Sequence, residues 1–150
     1  MTNTQPIDDL RTEERNGLVD ALARSAFETV AVLSRISAEY DLSLTQLRVL
    51  AILRDRRLRM AGLADYLGLE KSTMTGLVDR AEKRGLVERA PSETDRRAVE
   101  VYLSAAGLAL ADEVEVRVAA ALSPVTDALT PTERRRLRAL LEKTLTTPPH

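Results

Sequence analysis

At 150 residues the chain has the length of one domain, and 44 % hydrophobic content with only 3 % aromatic suits a helical fold with an aliphatic core. It has no cysteine and one histidine, His150, so thiol sensing, a histidine-rich metal site and most catalysis are excluded, and no metal or cofactor is expected. The net charge of -1 conceals a division: residues 40–103 hold twelve Lys/Arg against ten Asp/Glu (+2), the rest ten against thirteen (-3).

From Asp8 to Tyr40 only Gly17 interrupts a helical pattern, in which Leu18, Leu22, Ala26, Val30, Leu33 and Ser37 mark one apolar or small face. So long a helix exceeds what one small domain needs for its own core. Ser43-Leu44-Thr45-Gln46 has the form of a capping box and opens a helix to about Arg54, with Leu47, Leu50 and Ala51 inward. A short helix over Ala61–Leu67 turns Leu63, Ala64 and Leu67 to one side and stops at Gly68, which suits a left-handed closing residue. From Glu70 to Arg84 Met74, Leu77, Val78 and Ala81 recur at helical spacing, leaving Lys71, Ser72, Thr73, Thr75, Gly76, Asp79, Arg80 and Lys83 outward. Short hydroxyls at a helix start suit close approach to base edges and phosphates. Gly76 costs about 1 kcal/mol of helix propensity and needs a reason, either a nearby nucleic acid backbone or tight helix packing.

The runs Leu86 to Ala90 and Val99 to Leu103 read as strands, Val99, Val101 and Leu103 facing opposite to Glu100 and Tyr102. The polar stretch Pro91 to Ala98 between them is a loop carrying Asp95, Arg96 and Arg97; these charges either read a groove or simply pair in solvent. Ser104 caps a further helix that stops near Ser123-Pro124, and Thr130-Pro131-Thr132-Glu133 starts a last one with Leu137, Leu140, Leu141 and Leu145 inward. Arg134 to Arg136 read as a solvated helix face, as do the carboxylate pairs Asp8-Asp9, Glu13-Glu14 and Asp112-Glu113. Neither a signal-peptide pattern nor a stretch of some 20 apolar residues is present, so a cytoplasmic protein without membrane contact is expected.

The segment order, the motif LADYLGLEKSTMTGLVDRAEKRGLVER, and the Asp-Arg-Arg loop followed by a strand and LSAAG resemble the MarR family of bacterial transcription regulators. The motifs cover roughly Leu44 to Gly107. The resemblance implies a mainly α fold: a winged helix-turn-helix with a two-stranded β wing (41–103), and a helical dimerisation platform from both termini (1–40 and 104–150). It implies a homodimer on a pseudo-palindromic stretch of double-stranded DNA, probing successive major grooves with recognition helices and the flanking minor grooves with wing arginines. By position, Ser72, Thr73 and Thr75 become major-groove and phosphate contacts with Lys71 and Arg80 alongside. Arg96 becomes the minor-groove residue braced by Asp95, and Arg97 a phosphate contact or structural partner. Arg59 stands where the family usually has a serine or threonine cap; with Arg57 it either touches phosphate or is solvated. Ala81 replaces a larger residue and implies a thinner core there.

Family ligands, often lipophilic aromatic acids, bind between platform and winged helix. Phe27, Tyr40, Leu47, Arg48 and Ala51 are the positions here that would line such a crevice, with plain packing as the competing role. The reading is a dimeric transcription regulator, a repressor relieved by a small-molecule effector; the alternative is a winged-helix protein-interaction module without sequence-specific DNA binding.

Overall fold

The computed structural model describes the backbone of residues 5–146 and the side chains of 9–146; His150 and the Asp8 carboxylate lie outside these. The elements are α1 (Gln5–Glu39), α2 (Leu44–Leu53), β1 (Leu58–Arg59), α3 (Met60–Leu67), α4 (Lys71–Lys83), β2 (Val87–Pro91), β3 (Val99–Leu103), α5 (Ala105–Thr126) and α6 (Pro131–Leu145). The winged helix-turn-helix and its flanking helices are as expected.

Helix ends explain much of the chain's course. At the start of α2 the Gln46 amide donates to Ser43 Oγ at 3.1 Å and the Ser43 amide to Gln46 Oε1 at 2.9 Å, a complete capping box. Helices α1, α3 and α4 all close on a left-handed residue: Asp41, Gly68 and Gly85, at φ 54, 64 and 71°. The leucine after each donates back to the helix, Leu42 to the Ser37 carbonyl (2.9 Å), Leu69 to Ala64 (3.1 Å) and Leu86 to Ala81 (3.0 Å). Each such leucine is thereby turned into an apolar cluster, which converts a helix stop into a core contact.

The main core joins Val49 and Leu53 of α2, Leu63, Ala64 and Leu67 of α3, and Met74, Leu77, Val78 and Ala81 of α4 to Val87 and Val101 of the sheet. Ala81 is buried in this core. A smaller cluster of Leu42, Leu50, Leu86 and Ala111 lies where this head meets α5, and a third, Ile36, Leu47 and Val114, ties α1 and α5 to α2.

The sheet departs from expectation. It has three antiparallel strands in the order β1-β3-β2, with Leu58 opposite Val101 and Arg59 opposite Glu100. Two residues carry too little alternation to declare a strand, so β1 is invisible until β3 is there to pair with it. Val101 is buried as expected, but Val99, near the loop, is exposed because the sheet outruns the core. Ala51 is likewise exposed, on the side of α2 away from the main core. Helix α5 runs through Pro124 to Thr126. The proline cannot donate to the Ala120 carbonyl four residues back, and Ser123 Oγ donates to it instead at 3.0 Å, so the helix continues.

Head and platform meet at one close joint. Ser104 accepts from the Gly107 amide at 3.0 Å, donates its hydroxyl to the Gly85 carbonyl, and bonds by its own amide to the Leu86 carbonyl at 3.0 Å. A Cβ at Gly107 would overlap the Leu86 carbonyl oxygen and stand 2.9 Å from its carbon, so only glycine admits this approach. Beside it Arg84 donates to the carbonyls of Asp41 (2.6 Å) and Tyr40 (3.1 Å), fastening the end of α4 to the end of α1. Replacing Gly107 by alanine should therefore cost about 2–3 kcal/mol of stability, read as a lowered denaturation midpoint. An unchanged midpoint would show that α5 and the head are not held in contact here.

Candidate nucleic-acid interface

Helix α4 presents one apolar and one polar side. Met74, Leu77, Val78 and Ala81 are buried, while Lys71, Ser72, Thr73, Thr75 and Arg80 are exposed along the opposite side. No side chain caps its start: Glu70 occupies the N-cap position without a side-chain bond, so the backbone donors of the first turn remain open to an anion. Thr75 donates its hydroxyl to the Lys71 carbonyl at 2.9 Å and keeps its lone pairs outward. Gly76 is not explained by helix packing, since a Cβ there would meet only the Arg80 guanidinium at 3.4 Å; the position is open to whatever approaches α4 from outside.

The wing tip is a built turn. The Ser92 amide donates to the Ala98 carbonyl at 2.8 Å, closing the loop, and the Ala98 amide donates to the Asp95 carbonyl at 3.0 Å, closing a β-turn with Arg96 and Arg97 at its corner. Asp95 Oδ1 accepts from the Arg97 amide at 3.1 Å, the Asx arrangement that fixes such corners. The buried Ser92 side chain sits 3.1 Å from the Thr94 hydroxyl and accepts from the Thr94 amide at 3.3 Å. Asp95 thus braces the backbone under the arginines, with Oδ2 3.9 Å from Arg59, instead of pairing with the Arg96 side chain. Arg96 and Arg97 are exposed, and neither makes a side-chain ion pair among the described residues.

Arg59 accordingly belongs to the wing: it sits in β1 at the uncapped start of α3, and reaches towards Asp95. Arg57 lies over the Tyr102 ring, 4.0 Å from its centre, which gives that cation a platform. Sequence reasoning missed Arg89. From β2 it donates to Asp79 and, at 2.9 Å, to Glu82, both on α4, locking that strand against the helix. The signal was the acidic pair at i, i+3 beside a strand bearing an arginine.

Between platform and head lies a cleft of about 520 Å³ formed by Val30 and Leu33 of α1, Leu44, Leu47, Arg48, Leu50, Ala51 and Arg54 of α2, and Ala111, Val114, Glu115 and Val118 of α5. Leu47, Arg48 and Ala51 are where the crevice reading put them. Phe27 and Tyr40 are not: Phe27 is 77 % exposed farther up α1, and Tyr40 packs behind the cleft, its hydroxyl donating to Glu113 at 3.2 Å. Desolvation, reinforced by that carboxylate, raises the phenol pKa above its ordinary value. Arg54 bonds Asp112 at 2.9 Å and pairs with Glu115; the Asp112 bond chiefly raises its pKa against desolvation. Asp112 and Glu113 are therefore ties between elements and not merely solvated charges, whereas Arg134 pairs with Asp127 on an exposed face. Among the described residues no cluster of His, Cys, Asp and Glu is placed to hold a metal ion, and no helix is long and apolar enough to cross a membrane.

A family model described as "MarR family" matches residues 40–98. An uncharacterized HTH-type transcriptional regulator of Bacillus subtilis, YfiV, is 43 % identical over 65 residues, which is 43 % of this chain but only 41 % of that protein. Mutant MarR from E. coli complexed with operator DNA aligns at TM-score 0.70 and 26 % identity, covering 88 % of this chain and 96 % of that one. CouR from Rhodococcus jostii, bound to p-coumaroyl-CoA, aligns at TM-score 0.75 and 25 % identity over 87 % and 92 % of the two chains.

If Asp95 holds the wing corner as described, Asp95→Ala should speed amide hydrogen exchange at Arg97 and Ala98 about fivefold, the worth of one modest hydrogen bond. Asp95→Asn, which keeps the acceptor, should leave it within about twofold. Equal exchange in both variants would remove the carboxylate from the turn.

Proposed function

Since the chain belongs to the MarR family, we propose that it is a transcription regulator that binds a pseudo-palindromic double-stranded DNA site as a homodimer and represses until a small apolar acid enters its cleft. The observation that carries the DNA reading is the pairing of a rigid wing corner bearing the unpartnered Arg96 with an uncapped, hydroxyl-lined α4. A fixed turn presents a cation without a large ordering cost, and the open α4 start offers backbone donors and Ser72, Thr73 and Thr75 to a duplex. Lys71, Arg80 and Arg97 add phosphate contacts, and Arg59 steadies the wing through Asp95. The relatives named above are transcription regulators.

Dimerisation is supported by what the chain leaves uncovered. Leu18, Leu22, Leu137, Leu140, Leu141 and Leu145 are all exposed, and α6 buries no residue on its own chain. Residues 5–39 and 104–146 serve as the platform that pairs two copies, and the two-fold axis so created matches a palindrome with half-sites about one helical turn apart. The cleft sits between platform and head, where a bound molecule alters their angle and hence the head spacing.

Selection from random duplexes with the purified full-length protein should return an inverted repeat. On that site Arg96→Ala should weaken binding at least about tenfold and lower the slope of log affinity against log salt by about two, one for each protomer, the dimer surviving. Recovery of no preferred sequence would overturn the reading. Leu140→Glu should shift the protein to monomer in sedimentation and abolish operator binding in parallel, because a single head retains few phosphate contacts. A monomeric parent would refute the platform assignment.

A further inference from the structure

The last turn of α3 ends in carbonyls with no partner inside the helix. Leu69 serves the Ala64 carbonyl and Gly68 that of Asp65, at 3.1 and 3.3 Å. The next, on Tyr66, is served from another helix: Arg48 Nη2 of α2 donates to it at 3.0 Å. Arg48 also lines the cleft between platform and head. Arg48 is therefore a cleft-lining residue whose guanidinium reaches the end of α3, just before the turn Gly68-Leu69-Glu70 that leads into α4.

Charge decides which kind of molecule would compete for it. The cleft wall carries three charged groups, Arg48, Arg54 and Glu115, and Arg54 is held by two carboxylates, Glu115 and Asp112. Arg48 makes no ion pair among the described residues, so of the two cations on the wall it is the one without a carboxylate partner. The complement is an apolar body with one negative group. A carboxylate can take two parallel bonds from a guanidinium, each roughly twice as strong as a bond to a neutral carbonyl. Tyr66 itself stays in place, its hydroxyl accepting from Arg56 at 3.0 Å, so withdrawal of Arg48 leaves its carbonyl alone.

We propose that Arg48 couples cleft to recognition helix: it closes the α3–α4 turn when the cleft is empty, and the anionic group of an apolar acid draws it off when the cleft is filled. The coupling rests on the reading of the cleft as an effector site. Loosening the turn frees the start of α4, where Lys71, Ser72 and Thr73 would meet DNA.

Amide hydrogen exchange of the full chain tests this, with 2-naphthoate as the acidic probe, 2-naphthamide as its uncharged counterpart, and the similarly built turn at Gly85 and Leu86 as internal reference. Arg48→Met without ligand should speed exchange at Gly68 and Leu69 about fivefold while Gly85 and Leu86 stay unchanged. Adding 2-naphthoate to the parent should do the same, and should bind Arg48→Met at least about tenfold more weakly. 2-Naphthamide should leave the turn unchanged in both proteins. Unaltered exchange at Gly68 and Leu69 in Arg48→Met, an equal rise at Gly85 and Leu86, or 2-naphthoate bound to the parent without effect on the turn would each overturn the coupling while leaving the cleft as a binding site. Failure of both probes to bind the parent would overturn the cleft reading and the coupling with it.

Discussion

The close approach of Gly107 to the Leu86 carbonyl is the constraint on which the arrangement of this molecule turns. It brings the beginning of α5, the end of α4 and the beginning of β2 within hydrogen-bond reach of one serine, Ser104. On the proposed reading, a head that meets DNA and a platform that pairs two copies are useful together only if the orientation of one determines that of the other. Here that orientation is set by backbone-to-backbone contact, the stiffest kind available. Arg84, gripping the end of α1, adds a second point of attachment beside that joint, and the Arg54 ties to Asp112 and Glu115 add another across the cleft.

Charge is distributed by the same logic. Several cations that hold elements together are committed to carboxylates: Arg54 to Asp112 and Glu115, Arg89 to Asp79 and Glu82, Arg117 to Glu39. Lys71, Arg80, Arg96 and Arg97, on the outer side of α4 and the wing corner, make no ion pair among the described residues. A net charge of -1 is thus compatible with DNA binding, because what a duplex meets is the residue of charge left after internal pairing.

The helices of the head were legible because their information is local: the α4 core stripe Met74, Leu77, Val78 and Ala81, the capping box at Ser43, the left-handed Gly68. What escaped was non-local. Strand β1 exists because β3 offers an edge to Leu58 and Arg59, and Pro124 is tolerated because Ser123 takes over its bond. The site divides the same way. Exposure of Lys71, Ser72, Thr73, Thr75 and Arg80 follows from helical phase, and that of Arg96 from a polar loop. The duty of Asp95 to a backbone amide, the lock formed by Arg89, and the distance of Phe27 and Tyr40 from the cleft depend on three-dimensional neighbours that spacing cannot encode.

No residue of helix α6 is buried on its own chain, and the leucines of α1 up to Leu22 are likewise exposed. On the proposed pairing of two copies through these helices, their shelter from solvent is acquired by a second-order process and rises with the amount of protein present. Occupancy of a two-headed site would then climb more steeply than in proportion to expression. A cell that tunes the synthesis of such a chain gains a threshold without any further component.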